Sequence, residues 1–435
     1  MPFTHCPIRH PSFRLGAAFL CIAGIFVPVA FGQAAPDDRA RDAMDMADMS
    51  GMSGMYGVYD MTREASGTSW QPDSTPMNGI HDMHGAWMTM LHGYADVVND
   101  HQGGPRGNEQ SFATGMLMFM GRRQLTDGML GLRLMLSGDP PMGKSGYPLL
   151  FQTGETADGR TPLIDRQHPH NLLMEAAATY SHAVSKDSSA FVYLGLAGEP
   201  ALGPVAFMHR LSGEDNPEAP LTHHWLDSTH VSYGVVTGGY TWHQFKLETS
   251  AFNGREPDQH RYDVELRPLQ SYSARLSWNP DNAWSLQVST GHLASPEQLQ
   301  PQVNERRTTA SASYNAPIGQ WWQTTLAWGR NSPSTGQASA GWLLESAAQP
   351  VPRQTFFGRI EHVAKNELFL PGAQLHGESF TINKLSLGYI YDVARLQAVS
   401  LGLGGSISVY SFPAALDDTY SAHPTSFMLF VRARL

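Results

Sequence analysis

Cysteine is absent from the expected mature chain. Cys6 and Cys21 are the only two cysteines. Both lie within residues 1–32, where two arginines, an apolar stretch and a small-residue pattern at 30–32 are typical of a cleaved secretory signal peptide. An exported protein without cysteine has neither disulfide bonds nor thiol chemistry. Its stability must therefore come from hydrogen bonding and from closure of its sheet.

Charge and long apolar runs are scarce as well. Charged residues make up 16% of the chain, against about 25% in typical proteins. No apolar run of about 20 residues follows the signal, which excludes a helical membrane protein. Without residues 1–32, 27 basic residues remain against 39 acidic ones, a net charge of −12, so we expect no nucleic-acid partner. A β-rich chain with interleaved polar and apolar residues is left.

Residues 33–80 form a leader of distinct composition. Methionine, aspartate, glycine and serine dominate it, and no helix or strand period fits it. We predict a disordered periplasmic segment. The alternative is a copper-binding tract, because thioethers suit Cu(I) in a compartment without mature cysteine. Its ligands would be Met44, Met46, Met49, Met52 and Met55.

Beyond the leader the chain alternates with a period of two. In residues 271–278, serine and arginine alternate with tyrosine, alanine, leucine and tryptophan, and residues 284–289 repeat the pattern after a tight turn at 279–282. Such alternation is typical of strands that are apolar on one face and polar on the other. In a membrane barrel the apolar face contacts lipid and the charged face lines a wet lumen.

The spacing of these segments predicts a transmembrane antiparallel β-barrel over residues 81–435. We predict sixteen strands, at 83–97, 110–121, 127–137, 170–184, 187–198, 228–241, 244–254, 268–278, 283–293, 306–316, 319–330, 337–347, 353–363, 379–391, 395–409 and 425–435. The connections alternate between short and mostly long ones, with 331–336 as the exception. An even strand number, short periplasmic turns and long outer loops are typical of bacterial outer-membrane barrels. Both termini then lie in the periplasm.

Aromatic residues beside the short turns predict an interfacial girdle. The girdle residues are Trp242, Trp278, Trp284, Trp321 and Tyr391. In the last predicted strand, positions 427, 429, 431, 433 and 435 are all apolar, and the positions between them are Met, Phe, Arg and Arg. This strand resembles the C-terminal strand by which outer-membrane proteins are recognised for insertion, although Leu435 stands where an aromatic residue is usual.

Several loop segments resemble those of an uncharacterised group of Gram-negative outer-membrane, porin-like barrels. The matching stretches are YPLLFQTGET (147–156), DRQHPH (165–170), GEPALGPVAFMHR (198–210), PLTHHWLDSTH (220–230) and FNGREPD (252–258). With the strands between them they span roughly residues 85–435, and they imply the same fold. The leader is also similar in composition, over about 35 residues, to that of copper resistance B outer-membrane proteins.

A sixteen-stranded barrel is wide enough for an aqueous lumen, so we expect passive passage of small hydrophilic solutes or ions. The lumen-lining residues would be Arg133, Glu175, Lys246, Glu248, Arg275, Glu345, Arg359, Glu361 and Lys384. Catalytic motifs are missing, so we expect no enzyme activity and no required cofactor. The expected partners are outer-membrane lipid and the solutes, with self-association left open.

Histidines in the long loops are candidate ligands for Cu(II) or Zn(II). They are His168, His170, His209, His223, His224 and His230. The alternative is that these imidazoles hydrogen-bond the backbone of packed loops, since loops of about 30 residues need internal polar contacts. With the leader they define a second functional hypothesis, a copper-binding or copper-resistance protein of the outer membrane.

Overall fold

The computed structural model describes residues 53–435, which form an all-β structure. The strands are β1 (Ser53–Gly54), β2 (Gly57–Asp60), β3 (Ile80–His84), β4 (Trp87–Gln102), β5 (Glu109–Leu125), β6 (Gly128–Ser137), β7 (Tyr147–Thr156), β8 (Pro162–Gln167), β9 (Leu173–Ser185), β10 (Ser188–Gly198), β11 (Ser232–Trp242), β12 (Phe245–Phe252), β13 (Ser271–Trp278), β14 (Trp284–Leu293), β15 (Glu305–Ala316), β16 (Trp321–Pro333), β17 (Ser339–Val351), β18 (Gln354–Lys365), β19 (Phe380–Leu396), β20 (Val399–Ser411) and β21 (Thr425–Arg434).

Sixteen of these strands close into an antiparallel barrel, as predicted. The wall consists of β4 to β6 and β9 to β21, and β21 pairs with β4 to close it. β3 extends the wall beside the first half of β4. Every predicted strand has its counterpart, with boundaries that differ by at most five residues. Closure pairs the edges that an open sheet would expose to lipid.

The remaining regular elements are short. One-turn α-helices α1 (His223–Leu226) and α2 (Asp417–Tyr420) and 3₁₀ turns lie in the connections. The 3₁₀ turns are Met61–Arg63, Pro140–Met142, Phe207–His209, Ser228–His230 and Ala414–Leu416. No helix in the described part of the chain is long and apolar enough to span a membrane.

The outer surface of the wall is apolar, as a lipid-facing surface requires. Leu247 and Leu429 each expose 58% of their surface, while the residues between such positions are buried. Trp242, Trp278, Trp284 and Tyr391 are exposed near the short turns, as predicted for the girdle. The prediction for Trp321 was wrong. Trp321 packs against the interior cluster and its neighbour Trp322 faces outward, because a shift of one residue moves a side chain to the other face.

The connections divide into two sets at opposite ends of the barrel. At one end the turns have two to five residues, whereas the other end carries most of the long loops, including 138–172 and 199–231. β4 begins and β21 ends at the short-turn end. The described chain therefore enters and leaves the barrel wall at the same end.

The lumen is occupied by three inserted segments. Residues 53–78 lie inside it toward the short-turn end, where they contact β6, β12 and β16. Loop 199–231 folds into it, and the β7–β8 hairpin packs against β4 and β5 at the long-loop end. A hydrophobic cluster within the barrel joins Leu149, Trp225 and side chains of β17 to β21. The expected open aqueous lumen is therefore filled in this conformation.

The described part of the leader differs from the expected disordered segment. Tyr56 and Thr68 are fully buried inside the barrel, and residues 53–60 form the β1–β2 hairpin. The physical reason is that the polar inner wall supplies partners for an irregular backbone, so this segment needs no periodic apolar face. Residues 33–52 lie outside the described residues.

Candidate functional site

All nine predicted lumen residues lie on the inward face of the wall, and all are buried beneath inserted segments. Their exposed fractions range from 0% for Lys246 and Glu248 to 8% for Arg133. The inward orientation follows the alternation of the strands, in which the neighbouring leucines and isoleucines face outward. The lumen charges therefore form a hydrogen-bonded network with the inserted chain instead of a solvent-exposed lining.

One half of this network holds the leader. Glu248 on β12 is paired with Arg275 on β13 at 3.0 Å and with Lys246 at 3.4 Å. Arg275 donates to the Thr68 and Ser69 hydroxyls at 2.9 and 2.8 Å, and Lys246 donates to the Thr68 carbonyl. Lys246 and Arg275 thus hold Thr68 and Ser69 of the leader against the wall.

Arg133 and Glu175 add to the same contact. Arg133 on β6 donates to the backbone carbonyls of Ala65 and Gly67, and its guanidinium lies 4.0 Å from Glu175 on β9. Glu175 accepts a hydrogen bond of 2.7 Å from the Tyr193 hydroxyl. Each charge is therefore compensated, as burial requires.

The other half of the network holds loop 199–231. Arg359 pairs with Glu345 at 3.2 Å, and its guanidinium donates to the Glu218 carbonyl at 2.9 Å. Lys384 lies 2.5 Å from the Glu218 carboxylate. The Glu361 carboxylate accepts two hydrogen bonds of 2.9 Å, from the backbone and hydroxyl of Thr222.

Five of the six predicted metal-ligating histidines come together near the long-loop end, and we call these five the histidine cluster. Ring nitrogens of His168, His223 and His224 lie within 4.8 Å of one another, and all three side chains are buried. His170 and His230 extend the group, with a ring-centroid separation of 5.1 Å. A cavity of about 20 Å³ adjoins it, which is room for about one water or ion.

The hydrogen bonds within the histidine cluster leave ring nitrogens free for a ligand. His223 Nδ1 is 2.9 Å from Asp227 Oδ1, His170 Nδ1 is 2.7 Å from Asp139 Oδ2, and His230 Nδ1 is 2.7 Å from the Asp227 carbonyl. The Nε2 atoms of His170, His224 and His230 are buried without a partner among the described residues. An imidazole fixed at one nitrogen by an oxygen atom, with the other free, is the usual state of a metal-binding histidine.

Burial sets the protonation of three imidazoles of the histidine cluster. It lowers the pKa of His168 and His224 well below the usual range, and neighbouring cations and histidines add to the effect. Burial, with His170 and His223, lowers the pKa of His230 to about 3. Burial alone would raise the pKa of Asp227, but the hydrogen bond from His223 brings it below its ordinary value. His168, His224 and His230 are therefore neutral, the form that binds metals.

Carboxylates border the histidine cluster. His224, Glu256 and Glu297 also place one ligand atom each within 4.8 Å of one another. Burial and the nearby Glu155 raise the pKa of Glu256 to about 8, and burial with Glu256 raises that of Glu297 well above the usual range. His168 Nδ1 lies 3.1 Å from Glu155. The donor set of imidazoles and carboxylates suits a borderline divalent ion.

The remaining predicted ligands lie elsewhere. His209 is separate from the histidine cluster, because its ring packs on His92 at 5.8 Å and its Nε2 is 3.2 Å from Met135 Sδ. Met55 is buried against Tyr56 and Phe191 inside the barrel. Met44, Met46, Met49 and Met52 lie outside the described residues.

Some residues of the lumen network escaped the sequence analysis. Arg432 on β21 pairs with Asp96 on β4 at 2.7 Å and with Asp215 of the inserted loop at 2.8 Å. The inward positions of Asp96 and Arg432 follow from strand alternation, so their sequence pattern could have identified them. The loop residue has no periodic context that would reveal its partner.

Comparisons with known proteins agree with the fold. No protein-family model and no curated protein sequence matches the chain. OmpF of Salmonella typhi, in a complex with daunomycin, is 10% identical, with 82% of this chain and 100% of that chain covered and a TM-score of 0.50. The outer-membrane channel DcaP of Acinetobacter baumannii is 11% identical over 82% of this chain and 100% of its own, with a TM-score of 0.48. An anion-selective porin from Comamonas acidovorans is 11% identical, with 80% of this chain and 100% of that chain covered and a TM-score of 0.48. The likeness to OmpF is a likeness of fold, that of the sixteen-stranded porins.

Proposed function

We propose that the protein is an outer-membrane channel that passes small hydrophilic solutes or ions without a chemical step. The observation that carries the proposal is the inner wall, where buried Ser, Thr, Lys, Arg and Glu side chains alternate with lipid-facing apolar ones. A wall built only to enclose a permanent apolar core would not need charges on its inner face. Water can replace hydrogen bonds between such a wall and an inserted segment.

Loop 199–231 is the gate in this proposal. It contacts β16 to β19 and β21 through hydrogen bonds and ion pairs. When it lies in the lumen, it blocks the path between the two ends of the barrel. Conduction therefore requires this loop to move away from the wall, in addition to a shift of leader residues 53–78.

The orientation in the membrane follows the usual arrangement of bacterial barrels. Short turns face the periplasm and long loops face outward. The ends of the wall, at Trp87 and Arg434, lie at the short-turn end, so both would be periplasmic. The histidine cluster would then lie toward the cell exterior.

Conductance in planar bilayers tests the channel and its gate together. Ser212 on the loop donates a 2.8 Å hydrogen bond to Thr325 on β16, and the mature chain has no cysteine of its own. In a Ser212→Cys/Thr325→Cys variant, oxidation should abolish channel openings and reduction should restore them. Each single-cysteine variant is the control. Absence of openings in the unmodified protein would overturn the channel, and openings unaffected by the disulfide would overturn the gate.

The histidine cluster favours a second candidate function, binding of Zn(II) or Cu(II) near the outer mouth. The observation is that three buried imidazoles converge, those of His168, His223 and His224. The neighbouring His170 and His230 are each held at one ring nitrogen by an oxygen atom. Such a site could act beside a channel, since the cluster lies in loops and not in the wall strands. Metal binding by the barrel itself is the measurement that tests it.

A further inference from the structure

A second cavity lies at the short-turn end of the barrel, away from the histidine cluster, and methionine dominates its lining. Its volume is about 140 Å³. Eight of the chain's 20 methionines line it, from the leader as well as from the wall. Met61 and Met77 belong to the leader, Met88 and Met90 to β4, and Met118 and Met120 to β5.

Strand register places these thioethers side by side. Met90 on β4 is directly opposite Met120 on β5, and His92 is directly opposite Met118. Directly opposed residues on one face of an antiparallel pair have Cβ atoms about 5 Å apart. Sulfur and imidazole donors are therefore held as neighbours by the barrel wall itself, without dependence on loop conformation.

Packing alone does not account for this concentration of methionine. Methionine is flexible and is used in cores to fill irregular gaps. Here the flexible side chains surround a cavity of about 140 Å³ instead of closing it. Elsewhere the inward positions of the wall carry mostly serine, threonine and charged residues, so this sector differs in its chemistry from the rest of the lumen.

Imidazoles complete the donor set. His92 and His209 both line the cavity, and their ring centroids are 5.8 Å apart. His209 Nε2 also lies 3.2 Å from the sulfur of Met135. Thioether with imidazole is a soft to borderline donor set, which favours Cu(I) and chemically similar ions over hard ones.

The charges around the cavity disfavour hard divalent cations. The two side-chain carboxylates in its lining both have partners, since Glu214 is 3.3 Å from Arg434 and Glu64 accepts a hydrogen bond from the Tyr59 hydroxyl. Arg133 also lines it. A hard ion such as Mg²⁺ or Ca²⁺ requires several oxygen ligands, whereas eight thioethers and three imidazoles line this cavity, and a soft ion binds neutral sulfur.

We propose that this methionine cavity binds one soft monovalent metal ion, Cu(I) or Ag(I), through thioethers of β4 and β5 and the imidazole of His92 or His209. The site is separate from the histidine cluster. Its two strands are rigid parts of the wall, and the leader covers it from the lumen side.

Silver binding by the full-length mature barrel in detergent tests the proposal. Ag(I) is the probe, in chloride-free buffer with free methionine as competitor. All samples carry Leu at positions 44, 46, 49 and 52, so that the leader upstream contributes no thioether. Met90→Leu/Met118→Leu/Met120→Leu should lower the affinity at least tenfold. The matched control, Met83→Leu/Met129→Leu/Met428→Leu, changes three methionines that do not line the cavity and should keep one tightly bound ion.

X-ray absorption of the silver-loaded protein gives an independent readout. The expected shell contains sulfur with a nitrogen contribution, and His92→Gln with His209→Gln should remove only the nitrogen. This second variant keeps the test valid if the triple methionine variant fails to fold. Equal silver content in the triple variant and its control, or a shell of nitrogen and oxygen alone, would overturn the proposal. Neither result depends on conductance, so failure of the metal-site proposal would not affect the channel proposal.

Discussion

Arg210 of the inserted loop and Glu345 of strand β17 form an ion pair inside the barrel, although 135 positions separate them in the chain. Both are almost completely buried. Glu345 also pairs with Arg359 on the neighbouring strand, and Arg210 lies 3.3 Å from Asp227. One carboxylate thus joins the loop to two strands of the wall, and the position of the loop depends on it.

Removal of the Glu345 charge should destabilise the barrel strongly. Glu345→Gln leaves Arg359 buried without a carboxylate partner among residues 53–435 and weakens the compensation of Arg210. Breaking a buried ion pair by loss of one partner costs about 3–5 kcal/mol. The measurement is the free energy of unfolding in urea, in detergent or vesicles.

The matched control for this change is Glu109→Gln. Glu109 also lies beside a basic side chain, the imidazole of His101, but the Glu109 side chain is largely exposed, so loss of its charge should cost at most about 1 kcal/mol. Equal destabilisation by the two substitutions would contradict the role of burial.

The strands were predictable because lipid imposes a strict alternation. Leu247, Leu276 and Leu429 all face outward, since hydrocarbon offers no partner to a polar side chain at an outward position. The inward orientation of Lys246 and Arg275 followed from the same alternation. Trp321 shows the limit of this reasoning, because an error of one position reverses the face.

The inserted segments were not predictable from the same signals. Thr68, Ser69 and Thr75 belong to a stretch that is aperiodic like an exposed loop, yet all three are buried, because their partners are polar side chains of the wall. Hydrogen bonds between distant segments leave no local pattern. The loop histidines were candidate ligands by residue type alone, and the sequence did not decide between metal binding and loop packing. The place of His209 in the methionine cavity depends on the path of loop 199–231.

Tryptophan fluorescence in vesicles tests the assignment of faces at the start of β16. Trp322 is 43% exposed on the outer surface, and Trp321 packs against the interior cluster. In brominated lipid, which quenches only tryptophans in contact with acyl chains, Trp322→Phe should reduce the quenched signal and Trp321→Phe should not. The reverse result would mean that the register of β16 is shifted by one residue.

Zinc binding tests the histidine cluster. We expect the purified barrel to bind Zn(II), and His223→Ala and His224→Ala each to weaken binding about 10- to 100-fold or more, by analogy with loss of a partner or ligand at other sites. His362→Ala is the control, because this imidazole lies exposed on the outer wall with Asn383 as its partner. Two results would mean that the histidines serve only to pack the loops: equal zinc affinity of the unmodified protein and all three variants, or no zinc binding by the unmodified protein.

Packing of the β7–β8 hairpin at the long-loop end should depend on pH. Burial raises the pKa of Asp165 to about 6, although the Phe151 amide, Arg106 and the Tyr420 hydroxyl all donate toward the carboxylate. In the unfolded chain the value is close to 4. The packed hairpin therefore binds this proton more tightly than the released hairpin does.

The sign of the effect follows from proton linkage. The contribution of Asp165 to packing of the hairpin is fully present below about pH 4 and is lost as the pH rises through 6, by an amount on the order of 3 kcal/mol. Hydrogen exchange of residues 147–167 should accordingly show greater protection at pH 5 than at pH 7, after correction for the intrinsic exchange rate. Asp165→Asn keeps an oxygen that can accept from the Phe151 amide but cannot ionise, so it should remove most of this difference. A variant with the same pH dependence as the unmodified protein would assign the effect to another group in contact with the hairpin.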